Sequence, residues 1–176
     1  YMKTLVIVSH PYFSQSRAIH ALQETAEAAE NVTVRNLETL YGDSPDAINV
    51  AAEQAAYANA DRVVFLYPTH WFNLTPMLKA YLNAVWTYGW AFGPGGEALK
   101  DKQLQIVTTA GASEFTYSHE GLLNSTMEEV LTPMKASARY VGMRYRQPLA
   151  FYEVTARNKD KLSEFQTRFA AELRAA

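Results

Sequence analysis

The stretch LVIVSHPYFSQSRA at residues 5–18 decides the fold. It opens with four consecutive apolar residues, which are typical of a strand covered on both faces in a parallel sheet. Ser16 follows at the start of a helical pattern, where its hydroxyl can cap the first turn. Apolar residues then recur on one helical face through about residue 29, at Ile19, Leu22 and Ala26. The stretch therefore predicts a buried strand, a polar loop and an amphipathic helix in direct succession.

The same succession of strand and helix signals recurs along the rest of the chain. Further apolar runs stand at residues 63–67, 104–107 and 149–151, while Val32 and Val34 alternate with polar residues as in an edge strand. Helices are predicted at residues 49–59, at 76–85, where Pro76 lies in the first turn, and at 122–141, which Gly142 ends. A last helix is predicted from its apolar face, which consists of Leu162, Phe165, Phe169 and Leu173. Five alternations joined by right-handed crossovers predict an α/β fold, a doubly wound five-stranded parallel sheet with helices on both faces.

Composition narrows the classes of function. A chain of 176 residues, 48% of them hydrophobic, has the size of a single domain over residues 1–176. Its net charge of -2 supplies no basic field for a polyanion, so we expect no nucleic-acid partner. No apolar run approaches the roughly 20 residues that span a bilayer, and the absence of cysteine excludes disulfides and thiol chemistry. We therefore expect a cytoplasmic protein that takes any redox chemistry from a cofactor.

In a doubly wound sheet the ligand lies beyond the carboxyl ends of the strands, so the loops after Ser9, Pro68 and Val107 matter most. The first loop runs into a helix N-terminus, whose unpaired N–H groups favour a phosphate. Side chains of this loop that could also donate to a phosphate are His10, Ser14, Ser16 and Arg17. The other interpretation is that Ser16 only caps the helix and the rest forms a polar turn. Neither GxGxxG nor GxxxxGK(S/T) is present, which argues against a Rossmann fingerprint and a Walker loop.

The other two loops carry groups that suit a flat conjugated ligand. The loop YPTHWF at residues 67–72 has aromatic side chains that can bound such a ligand, although aromatic residues are also common in cores and interfaces. The loop TTAGAS at residues 108–113 offers small residues, hydroxyls and N–H groups, although a tight turn at Gly111 would explain the same residues. Three loops of this kind at one sheet edge indicate a shared binding site.

These loops resemble those of the flavodoxin-like NAD(P)H:quinone oxidoreductase family, especially its short bacterial branch, which includes the ancillary flavoproteins of glutathione-gated potassium efflux systems. The matching stretches are residues 5–18, the run YPTHWFNLTPMLKAYLNAVWTYGWAFGPGGEALKDK at residues 67–102, and VTTAG at residues 107–111. The likeness covers nearly the whole chain. It implies a flavodoxin-like sheet with the strand order 2-1-3-4-5.

The resemblance also implies which residues hold a flavin. Those around the ribityl phosphate would be His10, Ser16, Arg17, Ala18 and Ile19. Those on one side of the isoalloxazine would be Thr69, His70, Trp71 and Phe72, and those on the other side Thr108, Thr109, Ala110 and Gly111. Larger members place a Tyr and a His beyond a Thr–Thr–Gly–Gly turn to manage charge on the reduced flavin, and the candidate catalytic residues here are Tyr117 and His119. The spacing differs and Ala110 replaces the first glycine, so a solvent-facing loop is the alternative for these two residues.

The activity that the resemblance implies is two-electron transfer. NAD(P)H would give a hydride to flavin N5 and leave, and a quinone would take the hydride from the same face. FMN is expected rather than FAD, because the chain is short and shows no second nucleotide-binding signal. Two alternatives stay open: a flavodoxin-type electron carrier, and a regulatory ancillary subunit of a potassium efflux membrane protein, which would hold the chain at the inner face of the membrane. No metal site is expected, since the four histidines form no close pair along the sequence.

The segment at residues 71–92 predicts a homodimer. Its aromatic residues offer more surface than a small domain readily buries around a flavin, and they are Trp71, Phe72, Tyr81, Trp86, Tyr88, Trp90 and Phe92. Members of the family pair in this way, and a twofold contact would place a partner's loop over each flavin. The alternative is that these residues belong to the monomer's own core.

Overall fold

The computed structural model describes residues 1–154 and 159–175. Its centre is a parallel sheet with the strands β1 (Thr4–Val8), β2 (Val32–Asn36), β3 (Arg62–Pro68), β4 (Gln103–Thr109), β5 (Arg144–Tyr145) and β6 (Leu149–Phe151). The order across the sheet is β2-β1-β3-β4-β5, and β6 also pairs with β4. Because β5 pairs with the start of β4 and β6 with its end, these two short segments together form the fifth strand. The predicted strand order and the edge position of β2 are confirmed.

Helices cover both faces of this sheet. In chain order they are α1 (Arg17–Ala28), α2 (Leu37–Tyr41), α3 (Val50–Ala56), α4 (Pro76–Val85), α5 (Met127–Val130), α6 (Thr132–Tyr140) and α7 (Lys159–Arg174). Successive residues of a strand point to opposite faces, so Val6 and Val8 pack in the core under α1 and α7, whereas Leu5 and Ile7 pack in the core under α4 and α6. None of the helices in the described part of the chain has both the length and the apolar composition to cross a membrane.

The helix predicted at residues 122–141 is wrong in its first part. Residues 122–125 form turns and bends, and α5 begins only after its N-cap Thr126, in a capping box in which Thr126 and Glu129 bond each other's backbone. A separate helix, α6, then starts with Pro133 in its first turn, where proline is tolerated. Gly142, at a φ of +80°, ends α6 as predicted. The helix predicted at residues 49–59 stops at Ala56, and the short helix α2 was not predicted.

Arg62 is fully buried at the amino end of the sheet, with 0% of its surface exposed. Its guanidinium donates to Thr4 Oγ1 at 3.1 Å and to the carbonyls of Glu172 and Leu173 at 2.9 Å each. The last carbonyls of a helix lack intrahelical partners and carry partial negative charge, which suits a buried cation. Burial lowers the pKa of Arg62, and Arg146 lowers it further while Glu172 opposes the shift. This contact ties the end of α7 to the start of β3.

The aromatic residues of segment 71–92 divide into two groups. Tyr81 and Trp86 are buried in the chain's own core, so the prediction that the whole set is surface is wrong for them. There the hydroxyls of Tyr57 and Tyr81 lie 2.6 Å apart, and the Trp86 indole donates to Tyr57 at 3.1 Å. The second group lies at the surface: Trp71, Phe72 and Tyr88 are exposed, and Trp90 and Phe92 are partly exposed. Only this group is available to a second copy of the chain.

Candidate functional site

The loops after β1, β3 and β4 meet at one cavity of about 400 Å³ at the carboxyl end of the sheet. This volume lies within the usual range for small-molecule sites. The predicted flavin residues that line the cavity are His10, Ser16, Arg17, Ala18, Thr69, His70, Thr109 and Gly111. A further wall, which the sequence analysis missed, is formed by four residues at the end of β6, just after it and in the first turn of α7, namely Phe151, Val154, Lys159 and Leu162.

One side of the cavity is the start of α1. Ser16 does cap this helix, because its Oγ accepts the Ile19 N–H at 3.1 Å. Arg17 and Ala18, the first two helical residues, line the cavity. Unpaired N–H groups and partial positive charge at a helix start favour an anion, and the Arg17 side chain adds a full charge. Ile19 is buried in the core and is not among the lining residues.

His10 and His70 lie next to each other in the cavity wall, with ring centroids 5.5 Å apart, although no close pair was predicted from the sequence. Nδ1 of His10 accepts the Tyr12 N–H at 2.9 Å, which places the ring proton on Nε2. Burial, together with the nearby His70, lowers the pKa of His10 from 6.5 to about 4. His10 is therefore a neutral donor near pH 7. Within residues 1–154 and 159–175, no three His, Asp or Glu side chains are grouped to hold a metal ion.

The loop after β3 contains a tight turn in a rare conformation. The Asn73 N–H donates to the His70 carbonyl at 3.2 Å, and between them Trp71 and Phe72 have φ values of 49° and 61°. Positive φ at both central residues is the pattern of a type I′ turn, which favours glycine and asparagine over bulky side chains. The left-handed region costs a non-glycine residue roughly 1–2 kcal/mol. Trp71 is 91% exposed, so packing within the chain does not explain this strain, which is typical of functional sites.

Hydroxyl groups join the ends of β3 and β4. The Thr108 hydroxyl donates to the Tyr67 carbonyl at 2.7 Å and lies 2.6 Å from the Thr69 hydroxyl. The Thr69 N–H donates to the Thr109 carbonyl at 2.8 Å. Thr108 is thus fully buried between the strands, whereas Thr69 and Thr109 reach the cavity wall.

Gly111 leaves open space beside the backbone. A Cβ atom there would meet no heavy atom within 4 Å, and its φ is not positive, so a tight turn does not explain the glycine. Space of this kind lets a flat ring approach the main chain. The preceding residue, Ala110, is buried and donates its N–H to the Phe151 carbonyl at 2.9 Å, so its amide is used within the sheet.

Tyr117 and His119 occupy different surroundings. Tyr117 is buried, and its ring centroid lies 6.1 Å from Phe72 and 5.7 Å from Tyr152. Burial raises the pKa of the Tyr117 hydroxyl, which therefore stays protonated at neutral pH. His119 is exposed and contacts the Glu129 carboxylate through Nε2. The structure thus places Tyr117 against the strained turn through Phe72. Neither Tyr117 nor His119 lines the cavity, and the predicted ring residues Trp71 and Phe72 are not among its lining residues either.

The sequence analysis also missed Glu38, in the first turn of α2. Its carboxylate accepts the Ser9 hydroxyl at 2.9 Å and the His10 N–H at 3.1 Å. Burial raises the pKa of Glu38, although both hydrogen bonds oppose the shift. Glu38 is 29 positions from Ser9 in the sequence and its α2 is too short for periodicity to reveal, so no local signal could have found it.

The fold and the cavity can now be compared with known proteins. A family model described as a flavodoxin-like fold matches residues 2–173. The chain belongs to this family. Among curated relatives, the uncharacterized NAD(P)H oxidoreductase YdeQ of Bacillus subtilis is 36% identical over 169 residues, which cover 96% of this chain and 85% of the relative. The ancillary protein KefF of the glutathione-regulated potassium-efflux system of Klebsiella aerogenes is 39% identical over 149 residues, with coverages of 84% and 81%.

Solved structures of this fold include proteins with a bound flavin. The general stress protein 14 of Treponema denticola, crystallised in complex with FMN, superposes with a TM-score of 0.91 at 33% identity, covering 97% of each chain. An NADPH-quinone reductase from P. pentosaceus gives a TM-score of 0.89 at 26% identity, covering 99% of each chain. The relatives of this chain thus include NAD(P)H oxidoreductases, quinone reductases and FMN-bound proteins, which supports an oxidoreductase.

Proposed function

We propose that this protein is an FMN-dependent NAD(P)H:quinone oxidoreductase. The observation that carries the proposal is the convergence of three loops on one cavity, with the start of helix α1 on one wall and open space beside the backbone of Gly111 on another. A cavity with these two different walls suits a ligand with a phosphate at one end and a flat ring at the other. The FMN bound by the Treponema denticola relative and the NAD(P)H oxidoreductase YdeQ support the same assignment.

Each wall of the cavity would have a distinct task. Arg17 and the start of α1 would hold the phosphate, and neutral His10 would donate from Nε2 without adding charge. The walls that end in His70 and Gly111 would border the ring, with Trp71 and Phe72 at the rim. When bound, FMN supplies the hydride-transfer chemistry. We assign a role at the rim to Tyr117, whose protonated hydroxyl is a hydrogen-bond donor, in preference to His119.

The test is direct. Purified protein is incubated with FMN and with FAD, unbound flavin is removed, and the retained flavin is released by heat and identified. The loaded protein is then mixed with NADH or NADPH and a soluble benzoquinone under anaerobic conditions. We expect FMN to be retained and NAD(P)H to be oxidised at the expense of the quinone. A protein that stays colourless with both flavins would overturn the proposal, and one that holds FMN but leaves NAD(P)H unoxidised would be an electron carrier.

The exposed aromatic residues favour a homodimer. Trp71 is 91% and Phe72 43% exposed, and both belong to the turn that begins at His70, which lines the cavity. Exposed aromatic side chains of this size favour association, so a second copy would cover them and complete the rim. Sedimentation and turnover measured over the same dilution series test this arrangement. We expect activity to fall as the dimer dissociates, and a fully active monomer would contradict it.

A regulatory role is the second candidate. The observation in its favour is the 39% identity to KefF over 84% of this chain. In this role the protein would bind a potassium-efflux membrane protein at its inner face. Capture of the purified efflux protein on immobilised FMN-loaded chain would support it. Full oxidoreductase activity without any measurable binding would leave the enzymatic proposal alone.

A further inference from the structure

Glu38 is a partly buried carboxylate without a cation. In residues 1–154 and 159–175 no Lys, Arg or His side chain forms an ion pair with it. The other buried carboxylate, Glu53, differs in this respect: Arg35 donates to it from Nε and Nη2, the latter at 2.7 Å, and Tyr41 donates as well. Burying a charge that is not paired is unfavourable. The position of Glu38 therefore calls for an explanation other than stability.

The contacts of Glu38 form a chain with a defined direction. Thr75 accepts the Leu78 N–H at 3.2 Å and lies 2.5 Å from Ser9 Oγ, and Ser9 lies 2.9 Å from Glu38. An ionised carboxylate only accepts, and each hydroxyl has one hydrogen. Ser9 therefore donates to Glu38, and Thr75 donates to Ser9. Hydrogen bonds in such a chain strengthen one another.

This chain connects two walls of the cavity. At one end the His10 N–H donates to the second carboxylate oxygen at 3.1 Å, which holds the loop between β1 and α1. At the other end Thr75 caps α4, directly after the strained turn at residues 70–73. The two loops otherwise belong to separate strand-to-helix connections. Glu38, on a third connection between β2 and α3, thus contacts the first loop directly at Ser9 and His10 and reaches the second through the hydrogen bond between Ser9 and Thr75.

We propose that Glu38 is a positioning residue that couples two loops of the flavin site: the phosphate loop, residues 9–16 between β1 and α1, and the ring loop, residues 69–75 between β3 and α4. The inference rests on the proposed function, because the ligand that benefits is FMN. It predicts that Glu38 affects both ends of the ligand, unlike Arg17, which acts at the phosphate alone. Because no ion pair of Glu38 among the described residues stabilises the fold, removal of its carboxylate should lower the affinity for flavin without lowering the free energy of unfolding.

The variant Glu38→Gln tests the coupling. A glutamine has one acceptor oxygen, and its NH2 group would face one of the two donors, so one of the two contacts is lost. We expect the affinity for FMN and the affinity for riboflavin to fall by a similar factor of about ten. The urea midpoint of the protein without flavin should stay unchanged or rise, because an unpaired buried charge has been removed. A role in folding alone would lower stability and leave the affinity of the folded protein intact.

The matched control is Glu53→Gln, which also removes a buried carboxylate. It should lower the urea midpoint and leave the flavin affinity of the folded protein within twofold. Hydrogen exchange without flavin gives a second readout: Glu38→Gln should speed exchange at residues 9–16 and 70–78 together, and Glu53→Gln should not. Unchanged flavin affinity in both Glu38→Gln and Glu38→Ala, or unchanged exchange in one of the two loops, would overturn the proposal. If the wild-type chain fails to bind FMN, the proposed function fails, and the exchange experiment still decides whether Glu38 couples the loops.

Discussion

The two ends of the sheet use polar groups in opposite ways. At the amino end, the buried cation of Arg62 has acceptors on three sides, in β1 and in the last turn of α7. At the carboxyl end, Glu38 has no cation in the described part of the chain, His10 stays neutral, and Trp71 and Phe72 adopt positive φ. The charge of Arg62 is satisfied by acceptors inside the chain, whereas the region of Glu38 and Trp71 keeps an unpaired charge and two bulky aromatic residues at positive φ.

This difference separates stability from function within one sheet. A fold is stabilised where every buried polar group has its partner. Strain and uncompensated charge persist where the surrounding structure imposes them for another purpose. We therefore expect changes at the amino end to act on the free energy of unfolding, and changes at the carboxyl end to act on flavin affinity.

The largest effect is expected for Arg62→Met, which keeps the unbranched apolar stem of the side chain and removes the guanidinium with all its donors. Three buried acceptors then lose a charged partner, so the free energy of unfolding should fall by about 3 kcal/mol or more. Urea unfolding of the flavin-free protein measures this loss, and the folded variant should bind FMN normally. The control is Arg174→Met. Arg174 is the exposed last residue of α7, the helix whose carbonyls accept from Arg62, and its replacement should change the free energy of unfolding little. A loss below about 1 kcal/mol would mean that the amino end does not carry stability in this way.

The second-largest effect is expected for Arg17→Glu, at the carboxyl end of the sheet. Negative charge beside a phosphate dianion is repulsive, so FMN affinity should fall about 100-fold while riboflavin affinity changes little. Fluorescence titration with both flavins measures the two affinities. Arg174→Glu makes the same change in net charge at the amino end and should leave both affinities intact. Equal losses for FMN and riboflavin would show that Arg17 does not face the phosphate.

The smallest effect, and the one with the most informative sign, is expected for Trp71→Gly. Glycine adopts positive φ without steric cost, so relief of strain should offset its greater freedom in the unfolded chain and raise the free energy of unfolding by up to about 1 kcal/mol. FMN affinity and turnover should fall together. Tyr88→Gly is the matched control, since Tyr88 is also exposed but is not among the residues with positive φ. It should lower stability, and a stability loss in Trp71→Gly as well would show that the turn is not strained.

Much of the fold could be predicted because the strands carry their own signal. Strands covered on both faces are continuous apolar runs, and Ser16 and Pro76 mark helix starts by their chemistry. The error at residues 122–141 had a local signal that was overlooked. Thr126 and Glu129 have the spacing of a capping box, and a helix begins after such a box.

The site was less predictable because its contacts are long-range. His10 and His70 are 60 positions apart, yet they follow β1 and β3, which are neighbours in the sheet, so the strand order alone would have brought them together. Glu38 could not be found in this way, because its role depends on the path of a five-residue helix. The backbone strain at Trp71 and Phe72 has no sequence signature either, since bulky aromatic residues are unusual in a type I′ turn.

The position of α7 has a consequence for biosynthesis. This helix supplies Lys159 and Leu162 to the cavity and two of the three acceptors for Arg62. Its Gln166 donates to the Ala21 carbonyl and to the Thr25 hydroxyl of α1. A ribosome makes α7 after the strands and loops that form the remaining walls. A nascent chain can therefore assemble its sheet before α7 emerges, but its cavity stays without one wall and Arg62 without two acceptors. We expect cofactor loading to wait for the synthesis of α7, so that a chain stalled before α7 would meet the cell's proteases without cofactor and without the contact between Arg62 and α7.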